Sequence, residues 1–147
     1  MASVFYSWQS ESPGKTNRSL IEKALEASLK AIAADTTIEA SPRLDKDTQD
    51  VPGAPDIAAT IFEKIDRAAV FVCDVSLINR GEGVRPTPNP NVLVELGYAI
   101  ARLGWNRIVM VLNEATGPVE DLPFDLQKKR TLVYRSEEGG RGARAGS

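Results

Sequence analysis

Glu95 is the residue of this sequence that is best suited to catalysis, both by its type and by its position. The sequence contains no histidine and a single cysteine, Cys73, which excludes Ser/His/Asp and Cys/His catalytic groups, histidine-ligated metals and internal disulfides. Any catalysis must therefore use carboxylates, hydroxyls, lysine or backbone dipoles. Glu95 belongs to the segment Asn89–Leu103, whose apolar residues recur at helical spacing. It falls at the margin of the predicted buried face, so we expect a carboxylate half turned into the protein.

The bulk properties of the chain exclude several classes of protein. At 147 residues it has the length of one domain with its own hydrophobic core. Its net charge of −2 gives no basic excess of the kind that binds nucleic acid. No apolar stretch reaches the length of a membrane span, and the N-terminus lacks a signal-peptide pattern. We expect a cytoplasmic protein without direct nucleic-acid or membrane contacts and without a metal site.

Strand and helix patterns alternate along the chain, which is typical of a parallel sheet covered by helices on both faces. The predicted domain, residues 1–135, is flavodoxin-like and doubly wound, with a five-stranded parallel sheet of order 2-1-3-4-5. Residues 136–147 are rich in glycine and predict a flexible linker that leads to a further domain. The predicted elements are strands at Ser3–Ser7, Thr36–Ala40, Ala69–Val75, Arg107–Asn113 and Thr131–Tyr134, and helices at about Asn17–Ala34, Asp56–Arg67 and Asn89–Leu103.

The predicted fold also indicates where a ligand would bind. In open parallel sheets, ligands bind beyond the carboxyl ends of the strands, at the point where the strand order reverses. For this chain that point lies between strands 1 and 3, which lead into the loops Ser7–Thr16 and Asp74–Asn91. The second loop leads directly into the helix that carries Glu95. This coincidence favours a functional role for Glu95 over a purely structural one.

Side chains near the predicted crevice have both functional and structural interpretations. Trp8, at the mouth of the first loop, is a stacking surface for a base or the edge of the core. Asp74, at the end of strand 3, hydrogen-bonds a substrate or caps the following turn. Asn91 caps the helix or acts beside Glu95, which lies one turn away on the same face. Tyr98 neighbours Glu95 on that face as well.

Two loops carry weaker signals. Ser12–Thr16 resembles the end of a phosphate-binding P-loop, but Gln9 stands where that motif requires glycine. The remaining prediction is that backbone N–H groups before the first helix bind a diphosphate. Asp45 and Lys46 lie in the long polar segment Ser41–Pro55, where they are solvated or reach substrate or another subunit.

Four features together resemble bacterial TIR domains: Val4–Trp8, the long second loop, Val70–Asp74 and, above all, Asn89–Ala99 with its Asn-Pro-Asn lead and Glu-Leu-Gly-Tyr-Ala core. The sequence is most similar to the TIR-like domains fused to SAVED or STING sensors in antiphage effectors that cyclic oligonucleotides activate. The resemblance covers about Met1–Arg135.

The resemblance implies an NAD⁺ glycohydrolase that acts in antiviral defence and is activated by self-association. NAD⁺ is then a substrate and no cofactor is needed; a fused sensor domain would bind the cyclic nucleotide. Glu95 is the expected catalytic residue at the nicotinamide ribose. The loop after strand 1 and the loop at about Arg43–Gly53 are expected to hold the dinucleotide. The predicted substrate-binding residues are Ser7, Trp8, Gln9, Ser10, Asp45, Lys46, Asp74, Asn91 and Tyr98.

One position departs from the family pattern. Many catalytic TIR domains have tryptophan four residues before the glutamate, and this chain has Asn91. The stacking partner of nicotinamide is therefore expected from Trp8 or from a neighbouring subunit. Whether the product is linear or cyclic ADP-ribose stays open.

Two alternatives remain at this point. Nucleoside deoxyribosyltransferases and related nucleotide N-hydrolases use a glutamate on a similar helix, helped by an aspartate that Asp74 could match. The other alternative is a non-catalytic TIR domain that acts only in assembly. The placement of Glu95 on the crevice side of its helix favours an enzyme.

Overall fold

The computed structural model of the chain describes residues 2–37, 41–46, 56–79, 81, 83–123, 126 and 129–138. Its sheet has five strands, all parallel, in the order β2-β1-β3-β4-β5, which confirms the predicted flavodoxin-like α/β fold. The strands are β1 (Ser3–Ser7), β2 (Arg43–Lys46), β3 (Val70–Asp74), β4 (Ile108–Asn113) and β5 (Thr131–Tyr134), and the α-helices are α1 (Arg18–Ala34), α2 (Ile57–Arg67) and α3 (Pro90–Leu103).

The central strands divide the core into two halves because successive side chains point to opposite faces of the sheet. Phe5 of β1 and Phe71 of β3 pack together on the face covered by α2 and α3. Tyr6 and Val72 belong to the face covered by α1. All five residues of β1 are buried, as expected of a strand paired on both edges and covered on both faces.

Helix α3 begins and ends at the residues that its sequence indicates. The Asn89 side chain caps it by accepting a 2.7 Å hydrogen bond from the N–H of Asn91, and Pro90 occupies the first turn. The helix ends at Gly104, whose φ of 81° is a conformation that glycine adopts without strain. Leu96 is buried on one side of the helix and Glu95 is half-buried beside it. A well-defined helix therefore holds the carboxylate against the sheet.

The second strand lies later in the chain than predicted. Thr36 and Thr37 form a turn in which Thr37 donates to Asp35, and residues 38–40 lie outside the described residues. The actual strand β2, Arg43–Lys46, pairs with β1 at the edge of the sheet. Edge strands are partly solvated, so β2 needs no apolar run. A prediction that relies on apolar and β-branched residues therefore misses its position.

The end of the domain also differs slightly from the prediction. Ser136, assigned to the linker, is buried, and its N–H and C=O are both bonded to the Asn113 side chain. Residues 139–147, the greater part of the predicted linker, lie outside the described residues. Among the described helices none combines the length and apolarity needed to cross a bilayer.

Candidate active site

Two adjoining clefts open beyond the carboxyl ends of β1 and β3, at the predicted position. The first, here the Ser7 cleft, has a volume of about 240 Å³. The second, the Phe62 cleft, has about 290 Å³ and lies between α2 and α3. They share Ile57, Ile61, Asn91 and Glu95, so Glu95 stands at the junction of one continuous groove. The Ser7 cleft is also lined by Tyr6, Ser7, Trp8, Gln9, Ser10 and Asn89, and the Phe62 cleft by Ala58, Phe62 and Val94.

Ser7 and Glu95 form a hydrogen bond that links the central strand to helix α3. The Ser7 hydroxyl donates to Glu95 Oε1 over 2.7 Å. Ser7 is the last residue of β1 and is buried, so its own position is fixed by the sheet. A hydroxyl that donates to a carboxylate restricts the rotamers of the acid. The Glu95 carboxylate is thereby oriented at the junction of the two clefts.

Gln9 joins the two loops that border the Ser7 cleft. Its Nε2 donates to the carbonyl of Ser76 over 2.7 Å, and its Oε1 accepts a 2.9 Å bond from the N–H of Asn89. The side chain is only 2% exposed, and these bonds use its amide within the protein. Asn89 is the cap of α3. Gln9 therefore positions the start of the helix that carries Glu95, rather than acting mainly on substrate as predicted.

Replacing Gln9 by leucine tests this positioning role. The substitution keeps the volume but leaves the buried Ser76 carbonyl and Asn89 N–H without their partner, so we expect a loss of about 2 kcal/mol in unfolding free energy. Hydrogen exchange at the Asn89 amide should also become faster. Urea denaturation and amide exchange measure the two effects. Ser10→Ala, an exposed position on the same cleft, is the control and should leave both unchanged; equal protection of the Asn89 amide in the Gln9 variant would contradict the role.

Trp8 lies at the wall of the Ser7 cleft, as predicted. It is half-buried, and the Arg18 guanidinium lies over its ring, 3.7 Å from the centroid. Such a cation–π contact holds the indole in place at the start of α1. The structure thus brings Ser7, Trp8, Gln9, Ser10 and Asn91 together around Glu95.

Asp74 does not reach the groove. The side chain is 0% exposed; it accepts hydrogen bonds from the Asn17 side chain and from the N–H of Ser76, each 2.9 Å long. Burial raises the pKa of this carboxyl, and the hydrogen bonds from Ser76 and Asn17 partly offset that effect. Asn17 also bonds Ser76 and Asn113, so Asp74 belongs to a buried polar network. The predicted contact with substrate is therefore corrected to a structural role.

Asp45 and Lys46 are strand residues, not loop residues as predicted. Asp45 pairs with Lys64 of α2 at 3.0 Å, and Lys46 pairs with Glu22 of α1. These ion pairs tie the edge strand to a helix on each face of the sheet. Neither residue lines the groove. The rest of the predicted loop, residues 47–55, lies outside the described residues.

Two further predictions are corrected by hydrogen bonds. The Tyr98 hydroxyl donates to Asp66, which also pairs with Arg102, so it is directed away from the groove. In the loop before α1, the N–H groups of Thr16 and Asn17 donate to the carbonyl of Pro13, so these two are not available to a diphosphate. The described residues contain no cluster of three His, Cys, Asp or Glu that could hold a metal.

The sequence interpretation missed the contribution of α2. Its isoleucines at four-residue spacing indicate one apolar face, but only Ile65 is fully buried, while Ile57 and Ile61 line the groove. The sequence did contain a signal for this part of the groove. The apolar face of α2 continues to Ile57, the first residue of the helix, although only Ile65 is fully buried in the core. Phe62 and Val94 were missed for the same reason, since apolar residues on helices are ordinarily attributed to the core.

Comparisons with known proteins assign the chain to no family. No family model matches the chain, and no curated protein matches it. Among solved structures, a 2-desoxiribosyltransferase from Leishmania mexicana is similar over 100% of this chain and 79% of its own, with 13% identity and a TM-score of 0.43. A similarity this low carries no information on function. The chain is a flavodoxin-like doubly wound α/β domain with a carboxylate-containing groove at its switch point.

Proposed function

We propose that the domain cleaves the N-glycosidic bond of a ribosylpyridinium nucleotide, with NAD⁺ as the substrate and Glu95 as the catalytic residue. One observation carries the proposal: Glu95 is the single carboxylate among the described residues that line the groove, and Ser7 orients it. The two clefts are individually small, but a groove that combines them falls within the range of about 300–1,000 Å³ usual for ligand sites.

The presence of one carboxylate in the lining constrains the chemistry. Glycosidases ordinarily use two, of which one protonates the leaving group. Asp74, the obvious second acid, is buried in its own network. A leaving group that needs no proton suits this groove best. Nicotinamide is such a group, because its ring nitrogen is already cationic in NAD⁺ and becomes neutral on departure.

Glu95 would act on the ribose as the bond breaks. The C1′–N1 bond ionises, its electron pair passes to the pyridinium nitrogen, and neutral nicotinamide forms. The negative carboxylate stabilises the oxocarbenium-like ribosyl centre electrostatically and orients its hydroxyls. The oxygen of a water molecule then bonds to C1′ and gives up a proton to solvent, directly or through Glu95. The products are nicotinamide, ADP-ribose and one proton.

The expectations that depend on the TIR resemblance stay predictions. They are activation by self-association, a fused sensor domain for a cyclic nucleotide, and a role in cytoplasmic antiviral defence. The deoxyribosyltransferase alternative is less well supported, since it would use Asp74 as a partner of Glu95, and Asp74 is 0% exposed.

Substrate assays separate these functions. The protein is incubated with NAD⁺, and separately with a deoxynucleoside and a free base, both as the isolated chain and clustered on vesicles through a terminal tag. We expect nicotinamide release, with clustering raising the rate about a hundredfold through effective concentration. Chromatography of the released base is the measurement.

Each other outcome has a definite meaning. Exchange of nucleobases without nicotinamide release would assign the transferase chemistry and overturn the NAD⁺ proposal. Absence of both reactions in the clustered protein would overturn both enzymatic hypotheses and favour a non-catalytic domain that acts in assembly. Full activity of a demonstrated monomer at low concentration would contradict activation by self-association while supporting the catalytic proposal.

A further inference from the structure

The two clefts of the groove differ in chemistry. The Ser7 cleft contributes the polar side chains Ser7, Gln9, Ser10 and Asn89 in addition to Trp8. The walls that belong only to the Phe62 cleft are apolar, namely Ala58, Phe62 and Val94. Asn91 and Glu95 are the polar residues that both clefts share. A ligand in the groove would therefore have a polar part on one side of Glu95 and an apolar part on the other.

Two residues of the Phe62 cleft are unusually exposed for their type. Ile57 is 56% exposed and Val94 59%, and they lie on the facing helices α2 and α3. Adjacent exposed apolar residues beside a concave site commonly mark a binding surface. Contact of these apolar side chains with water is unfavourable in the free protein, and a ligand that covers them removes that contact.

The walls of the Phe62 cleft are held in place by local contacts. Ile57 is the first residue of α2, whose start is capped by Asp56 through a 3.0 Å bond from the N–H of Ala59. Phe62 stacks on Tyr98 with the ring centroids 4.3 Å apart. A cleft of about 290 Å³ is thus already formed between two anchored helices.

We propose that the Phe62 cleft is the subsite for the leaving base, and that it takes a planar aromatic ring that bears a carboxamide and becomes uncharged as it leaves. Ile57 and Val94 cover the faces of the ring. The exposed Asn91 side chain, with an acceptor oxygen and two N–H donors, is complementary to a carboxamide. The ribose then lies at Glu95, and the rest of the nucleotide extends into the Ser7 cleft.

This assignment rests on the proposed function and deepens it. A pyridinium ring enters as a cation and leaves neutral. Apolar walls disfavour the cation relative to the neutral product. The subsite therefore favours bond cleavage, and Glu95 stabilises the positive charge that moves to the ribose.

Binding of the released base tests the subsite without any need for turnover. Nicotinamide is titrated into the full chain carrying labelled methyl groups, and the methyl resonances are followed by NMR. We expect shifts at Ile57, Ile61 and Val94 and none at Leu132, which is exposed on β5 away from the groove. Nicotinate, which has a carboxylate in place of the carboxamide, should bind about tenfold more weakly, because Glu95 repels it and Asn91 loses a donor partner.

A matched pair of variants supplies the control. Val94→Ser removes a wall of the cleft and should weaken nicotinamide binding about tenfold. Val84→Ser makes the same change at another exposed valine outside the groove and should have no effect. Absence of shifts at the cleft methyls, or equal affinity of the two variants, would overturn the assignment.

The two proposals fail in distinguishable ways. Nicotinamide release without shifts at the Phe62 cleft would leave the catalytic proposal intact and place the base elsewhere. Shifts at the cleft in a protein that cleaves no substrate would support the subsite and refute the catalysis.

Discussion

Replacing Glu95 by glutamine is expected to lower the rate of nicotinamide release by about a thousandfold, since the variant loses the negative charge that stabilises the transition state. Glutamine keeps the length of the side chain, and its carbonyl oxygen can still accept the hydrogen bond that Ser7 donates over 2.7 Å. The groove should therefore keep its shape. Steady-state assays of the clustered protein measure kcat and KM separately, and the loss should appear in kcat.

Glu63→Gln is the matched control for this substitution. Glu63 is an exposed glutamate on α2 that does not line the groove, so the variant should retain the wild-type rate. Both variants should melt at nearly the wild-type temperature. A well-folded Glu95→Gln protein that releases nicotinamide at the wild-type rate would remove Glu95 from catalysis and with it the proposed mechanism.

Asp74→Ala should be the most destabilising of the substitutions considered, with a loss of about 3 kcal/mol in unfolding free energy. The change removes the acceptor of hydrogen bonds from Asn17 and from the N–H of Ser76, each 2.9 Å long, and leaves both donors in a buried site. Urea denaturation at mildly acidic pH measures the loss. Asp35→Ala, which removes an exposed acceptor of hydrogen bonds from Thr37 near the end of α1, should lower the midpoint far less.

The contribution of Asp74 should also depend on pH in a definite direction. Burial raises the pKa of this carboxyl in the folded protein above its ordinary value of 3.8. As the pH rises through 3.8, the unfolded chain loses the proton first, so the folded state loses relative stability until the raised pKa has been passed. The stability difference between wild type and Asp74→Ala should therefore be largest at acid pH and shrink as the pH rises. A difference that grows with pH would refute a raised pKa for this buried carboxyl.

Local patterns predicted most of the fold correctly. The near-continuous apolar run that includes Val70–Asp74 indicated a central parallel strand, and the helical spacing of the segment around Glu95 indicated α3. Together with the alternation of elements, they led to the correct strand order and so to the switch point at which the Ser7 cleft opens. Both signals arise because a strand or helix buries a continuous surface, and the residues that form this surface lie close together in sequence.

Most of the errors have a different cause, since they concern contacts between residues distant in sequence. β2 is a polar edge strand that is held by pairing with β1 and by ion pairs to two helices, and none of these partners is visible in Arg43–Lys46 itself. Asp74 has the position of a substrate ligand in the sequence, but its carboxyl accepts a hydrogen bond from Asn17, which lies 57 residues away. In the sequence, Gln9 stands out only as a mismatch to the P-loop motif. Its role in positioning α3 depends on hydrogen bonds to Ser76 and Asn89.

The Ser7–Glu95 hydrogen bond has a consequence for how the polypeptide acquires activity during synthesis. Its two residues are 88 positions apart, and β1 also requires β3 as its neighbour. Contacts of such long sequence separation form late, because the entropy of closing the loop must be overcome first. A ribosome-bound or truncated chain that lacks α3 can already contain β1 and β3, but it has no carboxylate to accept the hydrogen bond from Ser7. The proposed activity would thus be absent until α3 has packed against the sheet.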